Sequence, residues 1–465
     1  METPPTTSLA VRISLALQAN GPMASGALAS AVAISQATLS RSIALLGPTI
    51  ERIGAARSTR YALRRNIRNL GSQWPIYRID LQGRATRWGD LRALHGGFRF
   101  APSASAPGWL SKDYPSGVFS GLPFFLQDVR PQGYIGRAIA RDASPDLGVP
   151  VDPRDWSDDD LVAYFLSDGH DLPGDLVFGD RALERALRQA GVEDSAIIPD
   201  AGRPAAYAAR ADAAQRGEVI GSSAGGEQPK FLATVRRPGS DPVSVIVKFS
   251  AAEASPVRQR WSDLLLCEHM AARVLARHGV PSAATQVLDG ERRRFLEVER
   301  FDRNHAVGRR GMLTLGAIED ALVDQSFPDW NWAAAAAILE SAGVMDAPEV
   351  RQLRWRWCFG DLIANSDMHR SNTSLWFGDS LPFGLTPSYD MLPMLFAPGA
   401  QGDLGPRTFS PRPPLPAVAS VWPEAAHAAV EFWNQISGDE RVSRDFRTIA
   451  QGASSEVNRL IARFA

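Results

Sequence analysis

An octapeptide in the last third of the chain carries the residue types that phosphoryl transfer requires. It reads Asn-Ser-Asp-Met-His-Arg-Ser-Asn over residues 365–372, and a further acid, Asp390, follows it. Asp367 would orient an attacking hydroxyl group, while the amide of Asn372 and the carboxylate of Asp390 would hold Mg²⁺ against phosphate groups. The alternative interpretation is a polar turn, because Asn, Asp and Ser also favour turns.

Neighbouring stretches are predicted to bring these side chains into one cleft. Residues 373–377 and 385–389 are predicted to form the two arms of a β-hairpin that lies between the two acids. Residues 351–364, in which Arg and Trp alternate, are predicted to form a buried helix that leads into the octapeptide. Such an arrangement would deliver Asp367 and Asp390 to the same site.

A second informative stretch, residues 221–230, is rich in Gly and Ser and precedes a predicted strand. Its paired Gly225 and Gly226 would let backbone N–H groups approach phosphates, and Lys230 ends the stretch. It is not a Walker A sequence, because no Gly-Lys followed by Ser or Thr closes it. A Gly-rich loop of this kind is weak support for nucleotide binding when it stands alone.

The rare lysine residues support nucleotide binding more strongly than the Gly-rich stretch does. Of 50 Lys and Arg residues only three are Lys, namely Lys112, Lys230 and Lys248. Lys248 comes at the end of a predicted buried strand, as does the lysine that contacts the α- and β-phosphates in kinases. The following predicted helix, residues 261–278, supplies Glu268 either as a partner of Lys248 or as an ordinary surface glutamate. Residues 294–303 come between the strand of Lys248 and the octapeptide. They are predicted to form the hinge, the segment whose backbone groups would contact adenine.

The first 70 residues differ in charge from the rest. They contain eight Arg against Glu2 and Glu51, a net charge of +6 in a chain whose total is −1. Three predicted helices, the last capped by Ser35 and ended by Gly47, precede a Gly-centred hairpin, which is the order of a winged helix-turn-helix. We therefore expect binding to duplex DNA, with a small three-helix interaction module as the alternative. The expected DNA contacts are Gln36, Ser40, Arg41, Arg57 and Arg60.

Length and composition set broader limits. A chain of 465 residues exceeds the usual size of one core, so two or three domains are expected. The contents of 45% hydrophobic and 22% charged residues are ordinary for a globular protein. Cys267 and Cys358 stand alone, which argues against a zinc site or a disulfide framework. Since no stretch reads as a signal peptide or a membrane span, a cytoplasmic location is expected.

Taken in order, these motifs resemble those of the HipA-like serine/threonine kinases, toxins of bacterial toxin–antitoxin systems. The resemblance covers roughly residues 74–450, and the octapeptide is its most specific motif. It rests on Ser-Ser-Ala-Gly-Gly-Glu-Gln-Pro-Lys (222–230), Ile-Val-Lys (246–248), Glu-Arg-Phe-Asp-Arg (299–303), the octapeptide (365–372) and Tyr-Asp (389–390).

The resemblance implies a role for each of several residues at the nucleotide. Lys248 would bind ATP. Glu299 and Phe301 would form the backbone hinge. His369 would lie against the nucleotide.

The same resemblance implies the chemical roles. Asp367 would be the catalytic base, with Asn372 and Asp390 as the Mg²⁺ ligands. Ser222 or Ser223 would match the loop serine that such kinases autophosphorylate. The substrate would be a protein, with an aminoacyl-tRNA synthetase as the example that the resemblance offers.

These inferences give one overall prediction. The fold is expected to be α+β, with a winged helix-turn-helix DNA-binding domain over 1–70, a β-rich N-lobe over 74–300 and a mostly helical C-lobe over 301–465. A typical HipA chain lacks the N-terminal domain, so the chain resembles the HipH-like subgroup, which leaves open whether a separate antitoxin is a partner. The predicted function is ATP- and Mg²⁺-dependent protein phosphorylation. The alternatives are a small-molecule phosphotransferase and a DNA-binding repressor with a kinase-like sensor body.

Overall fold

The computed structural model describes most of the chain. The described ranges are 8–190, 197–216, 228–290, 292–305, 307–323, 330–399 and 401–464. Four predicted loop residues, Ser222, Ser223, Gly225 and Gly226, lie outside these ranges, as does the side chain of Arg57. Within the described ranges, no single helix is long and apolar enough to cross a membrane. One pair of short helices reaches the required length and apolar composition when the two are counted together, but the pair is sharply bent.

The first unit packs three helices against a small antiparallel sheet. Its elements are α1 (Leu9–Asn20), β1 (Met23–Ala24), α2 (Ser25–Ala31), α3 (Gln36–Leu46), β2 (Ile50–Ile53) and β3 (Arg60–Leu63), with β3 in the middle of the sheet. The predicted ends of α3 are confirmed, because Ser35 Oγ accepts a hydrogen bond from the Thr38 N–H and Gly47 follows the helix with φ of 57°. Leu17 and Leu39 are fully buried between the helices.

The second unit is built on a five-stranded antiparallel sheet of order β7-β6-β5-β4-β8. Its strands are β4 (Gln73–Ile79), β5 (Ala85–Leu94), β6 (Gly97–Pro102), β7 (Val118–Phe119) and β8 (Leu176–Phe178), and its helices are α4 (Gly108–Asp113), α5 (Phe124–Gln127), α6 (Gly133–Leu147), α7 (Asp158–Asp168) and α8 (Asp180–Ala190). Residues 101–136 contain α4, α5 and the start of α6. Packing of Trp109 against Phe124 and Phe125 stabilises helices too short to persist alone.

The third unit has a separate five-stranded sheet of order β12-β13-β11-β10-β9. Its elements are β9 (Ile198–Pro199), α9 (Arg203–Arg216), β10 (Lys230–Arg236), β11 (Val243–Phe249), α10 (Pro256–Arg277), β12 (Thr285–Asp289) and β13 (Arg294–Glu299). The predicted β-rich stretch of 74–300 therefore contains two sheets. Only the second carries Lys248, on the central strand β11.

The fourth unit is mostly helical. Its elements are β14 (Arg303–Asn304), β15 (Gly308–Arg309), β16 (Met312–Thr314), α11 (Leu315–Leu322), α12 (Trp332–Ser341), α13 (Ala347–Leu362), β17 (Ser374–Trp376), α14 (Trp422–Gly438) and α15 (Arg444–Phe464). The predicted hairpin of 373–377 with 385–389 is confirmed in part, since an antiparallel bridge between Leu375 and Leu385 and a hydrogen bond from the Thr386 N–H to the Ser374 carbonyl at 3.0 Å join its two arms. The longer pairing of β17 is with the distant β16, which the sequence did not predict.

The first and second units meet around one buried carboxylate. Glu51 on β2 is 3% exposed. It accepts a hydrogen bond from Arg64 at 2.6 Å, and it also pairs with Arg92 and Arg99 of the neighbouring sheet. Burial alone would raise the pKa of Glu51, but its hydrogen bonds and the nearby guanidinium charges hold that pKa below its ordinary value. The junction is therefore a packed ion-pair cluster.

We predict that replacing Glu51 with Gln lowers the free energy of unfolding at pH 7 by about 2–3 kcal/mol, because three arginines lose a buried partner. The group has a lowered pKa in the folded state, so its contribution is present above about pH 4 and disappears as the pH falls through that lowered value. Urea denaturation at pH 7 and at pH 3 measures the difference. Glu456→Gln, which removes an exposed pair with Arg459, is the control and should change little. Equal effects of the two changes would contradict the prediction.

Candidate active site

Lys248 lies where the third and fourth units meet, a junction called here the cleft. The residue is 5% exposed on strand β11, between β10 and β13. Its Nζ donates to both carboxylate oxygens of Glu268 on α10, at 2.6 and 2.7 Å, and to Oδ1 of Asp390. The predicted contact between Lys248 and Glu268 is thus confirmed, and the alternative of a surface glutamate is wrong, because Glu268 is 4% exposed.

The local sequence explains how this contact forms. Val245, Val247 and Phe249 fill the core on one side of β11, so alternation sends Lys248 to the other side. Ser255 caps α10, and Pro256 begins it. The helix then runs for 22 residues across the sheet and places Glu268 beneath the lysine.

The charges in the cleft strongly influence one another. Burial alone would lower the pKa of Lys248, but Asp390 and Glu268 together raise it above its ordinary value, so the amine stays protonated. Burial would raise the pKa of Asp390, but Lys248 and then Lys230 lower it to about 2. Glu268 is so buried that its pKa is raised despite Lys248. The cleft therefore holds a fixed positive charge beside an ionised Asp390.

Lys230, the second lysine predicted at the nucleotide, is the direct cross-strand partner of Lys248 in the β10–β11 pair. Residues paired in this way have neighbouring side chains on one face of a sheet. Its charge contributes to the lowered pKa of Asp390. Both lysines of the predicted motifs therefore contribute positive charge to the same cleft.

The octapeptide forms a tight loop after α13. Asn365 is 4% exposed, and its Oδ1 accepts a hydrogen bond from the Asp367 N–H at 3.1 Å. Its Nδ2 donates to the Asp390 carbonyl at 3.4 Å. One amide side chain therefore links the segments of the two predicted acids. The residues before and after this link, Ala364 and Asp390, have φ of 60° and 52°, left-handed conformations that cost energy and often occur at functional sites.

This loop brings together two of the predicted residues, Asp367 and Asn372. Asn372 Nδ2 donates to the Asp367 carbonyl at 2.6 Å. His369 Nε2 lies 3.9 Å from Asp367 Oδ1, and both side chains are about half exposed, at 54% and 51%. Asp367 is thus open to an incoming molecule, whereas Asp390 beside Lys248 is only 33% exposed.

Sequence reasoning missed the residues that support the loop. Trp332 Nε1 donates to the His369 carbonyl at 3.2 Å. The Tyr389 hydroxyl donates to the Ser371 carbonyl at 3.0 Å, and burial first and then the charge of Asp390 raise the pKa of that hydroxyl. Asn365 and Tyr389 stand inside recognised motifs, so their position was a signal. Trp332 carries no signal in the sequence.

The predicted hinge residues lie on the opposite wall. The Glu299 N–H donates to the Ala284 carbonyl at 2.8 Å, and Arg237 contacts the Glu299 carboxylate at 3.2 Å. The Phe301 ring lies 5.7 Å from the rings of both Trp376 and Tyr389. Residues after β13 therefore contact the segment that ends in Asp390.

The residue types suit a nucleotide and Mg²⁺. Among the described residues, no group of three or more His, Cys, Asp or Glu side chains could hold a metal ion by itself. Mg²⁺ is commonly held by one or two side chains together with substrate phosphates, and Asp390 with Asn372 could supply those two. The buried ammonium of Lys248 is suited to phosphate oxygens. The site therefore fits a metal that arrives with a nucleotide.

The predicted DNA contacts belong to the first unit. Gln36, Ser40 and Arg41 are all exposed on α3, and Gln36 and Ser40 are one helical turn apart. Arg60 is exposed on β3, where its Nη2 donates to the Pro22 carbonyl at 2.8 Å. These side chains are available to a partner, and none belongs to the cleft.

Replacing Lys248 with Met should destabilise the protein by about 3–5 kcal/mol at pH 7, because the buried Glu268 and Asp390 would face each other without a cation. The loss should become smaller as the pH falls from about 4 towards about 2, because Asp390, whose pKa is lowered to about 2, then becomes protonated and no longer needs the ammonium. Urea denaturation at pH 7 and at about pH 2 tests this. Lys112→Met changes a lysine of α4 and is the matched control. A loss at pH 7 no larger than that of the control would contradict the prediction.

Two family models match the chain. The family described as YjjJ-like toxin, middle domain, matches residues 70–187, and the family described as HipA-like C-terminal domain matches residues 222–456. The chain is also 35% identical over 448 residues to Toxin YjjJ of Escherichia coli strain K12, which covers 96% of this chain and 97% of that protein.

The fold is shared with one solved structure of HipA. HipA of Shewanella oneidensis MR-1, from the complex of the toxin–antitoxin system HipA and HipB with operator DNA, gives a TM-score of 0.52 at 15% identity, over 84% of this chain and 97% of that one. The proinflammatory kinase CtkA of Helicobacter pylori gives a TM-score of 0.36 at 11% identity, over 52% and 92% of the two chains. The chain has the mixed α+β fold of HipA and belongs to the HipA-like toxin family, with the middle domain of the YjjJ-like toxins.

Proposed function

We propose that this protein is an ATP- and Mg²⁺-dependent serine/threonine protein kinase and that phosphorylation is its toxic activity. The observation that carries the proposal is the link from Lys248 through Asp390 and Asn365 to Asp367. It places a buried cation, an ionised acid and an exposed acid along one cleft, which is what phosphoryl transfer requires. Membership of the HipA-like family supports the same conclusion.

Each side chain has a simple task in this proposal. Lys248 binds the phosphates and stays protonated because two carboxylates flank it. Asp367, exposed at the mouth of the cleft, orients the substrate hydroxyl and accepts its proton. Asp390 and Asn372 would hold Mg²⁺, which would neutralise negative charge at the phosphates. Asn365 holds the segments of Asp367 and Asp390 in fixed relative positions, so most of the catalysis is positioning.

The substrate and partners belong to the same proposal. The exposed Asp367 suits a hydroxyl presented by a protein chain, and an aminoacyl-tRNA synthetase is the example that the family resemblance offers. The HipA structure above contains HipB and operator DNA. We infer by analogy that this chain acts at DNA and that an antitoxin partner is compatible with it.

We further propose that the first unit is a winged helix-turn-helix that binds duplex DNA. Three helices followed by the β2–β3 hairpin match that plan, and α3 presents Gln36, Ser40 and Arg41 on its exposed surface. In this proposal residues 1–70 bind DNA, the sheet that carries Lys248 binds the nucleotide, and residues 301–465 supply the catalytic loop.

The kinase proposal predicts loss of phosphoryl transfer on two conservative changes. Asp367→Asn should reduce incorporation of phosphate from radiolabelled ATP by about 100-fold or more, because the hydroxyl loses its base. Asp390→Asn should do the same because a metal ligand is lost. Glu456→Gln, on the exposed face of α15, should leave activity unchanged. Near-normal activity of either active-site variant in folded protein would refute the assignment.

The predicted modification of Ser222 or Ser223 can be measured in the same samples. Incubation of the wild type with Mg-ATP should add phosphate mass to the 221–230 peptide, and Asp367→Asn should show none. Phosphoproteomics after induction, comparing the wild type with Asp367→Asn, identifies the protein substrate. Mass at other sites only would remove the loop serines from the proposal.

The DNA proposal predicts a strong salt dependence. Affinity of the full chain for a duplex from its own promoter should fall with salt at a log–log slope of about −0.9 for each phosphate contact. Arg41→Ala should weaken binding and make that slope shallower by about 0.9. Arg459→Ala on α15 is the control. A slope that Arg41→Ala leaves unchanged would show that Arg41 does not contact phosphate.

A further inference from the structure

A short segment connects the two walls of the cleft. Residues 300–304, called here the connecting segment, follow β13, which pairs with the strand of Lys248. Within the segment, the Phe301 ring lies 5.7 Å from the ring of Tyr389, the residue before Asp390. The connecting segment is therefore one of the contacts that join the Lys248 wall to the Asp390 wall.

Asp171, a residue of the second unit, contacts the connecting segment directly. Its carboxylate accepts hydrogen bonds from Arg300 Nη1 at 2.9 and 3.1 Å and from Arg303 Nη2 at 2.7 Å. Both arginines also donate to Asp302 Oδ2, at 3.0 and 2.7 Å. The two arginine side chains are only 8% and 7% exposed. Buried charge-assisted bonds of this kind fix geometry.

The charge balance of this cluster depends on Asp171. A third cation, Arg309, donates to the His170 carbonyl at 2.7 Å. Burial and then the charge of Arg303 lower the pKa of Arg309 to about 9. Arg300 and Arg303 are hydrogen-bonded to two carboxylates, those of Asp171 and Asp302. Without the charge of Asp171 these two arginines keep only the Asp302 carboxylate among those partners, and their mutual repulsion acts on the connecting segment.

The backbone contacts of the second unit are equally close. The Gly174 N–H donates to Asp302 Oδ2 at 2.9 Å, and the Gly174 carbonyl accepts from Arg303 Nη1 at 2.9 Å. Just beyond the segment, a Cβ at Gly308 would lie 2.1 Å from the Leu81 carbonyl oxygen, so a side chain there has no room. The second unit is thus packed directly against the connecting segment and the chain that follows it.

We propose that Asp171 is a positioning residue for nucleotide binding, which acts by fixing the connecting segment between the two walls of the cleft. The inference rests on the proposed kinase function. It adds a residue of the second unit to those that determine nucleotide binding. Asp171 touches neither the Lys248 cluster nor the octapeptide in the described contacts, so its effect passes through Arg300, Arg303 and Phe301.

The test is the affinity of the full-length protein for a fluorescent ADP analogue with Mg²⁺. Asp171→Asn should raise its Kd by roughly tenfold or more, a typical size for coupling between distinct sites. Asp171→Glu keeps the charge and should lie between Asp171→Asn and the wild type. The matched control is Asp168→Asn, three residues away, whose ion pair with Arg185 stays inside the second unit. Its Kd should remain within about twofold of the wild type.

Steady-state kinetics distinguish a positioning role of Asp171 from partial unfolding of the variant. Asp171→Asn should raise the KM for ATP and leave kcat near the wild-type value, whereas partial unfolding would lower kcat and leave KM unchanged. If Asp171→Asn does not fold, Arg303→Lys tests the same contact from the other side and should also raise Kd.

The outcomes are distinct. A wild-type protein that binds no adenine nucleotide overturns the kinase proposal itself. A wild type that binds, together with folded variants of Asp171 or Arg303 that bind equally well, overturns only the role of Asp171.

Discussion

One ammonium group shared by two carboxylates is the contact on which the cleft depends. Lys248 comes from the middle of a sheet, Glu268 from the helix that crosses it and Asp390 from a loop of the helical unit. In a buried site each of these charges would be costly alone, so each is tolerated there because the three elements meet. The same charges leave Lys248 protonated and Asp390 ionised, the states that phosphate and metal binding require.

Features with local signals were predictable from the sequence. The ends of α3 follow from Ser35 and Gly47, and the contact of Lys248 with Glu268 follows from a rare lysine ahead of an amphipathic helix. The residue types of the octapeptide indicated phosphoryl-transfer chemistry. The fold class could be reached in the same way, because alternating strands and helical spacing are local patterns.

The remaining features depend on distant partners. Strand β17 pairs with β16, about 60 residues earlier, and nothing in residues 373–377 identifies that partner. The helices within 101–136 depend on aromatic packing that includes Phe377 from another unit. Arg300 and Arg303 stand in a recognised motif, but their partner Asp171 lies about 130 residues earlier in the chain, and nothing in the sequence around Asp171 identifies that contact.

The cluster around Glu51 has a consequence for the study of isolated parts. Arg92 and Arg99 belong to the second unit, but their shared carboxylate is supplied by the first. A fragment that begins after residue 70 would expose both guanidinium groups without a counter-ion. Such a fragment would carry a new basic surface that attracts nucleic acid and other polyanions regardless of sequence. Removal of the N-terminal unit thus creates an artificial affinity for polyanions in the remaining protein.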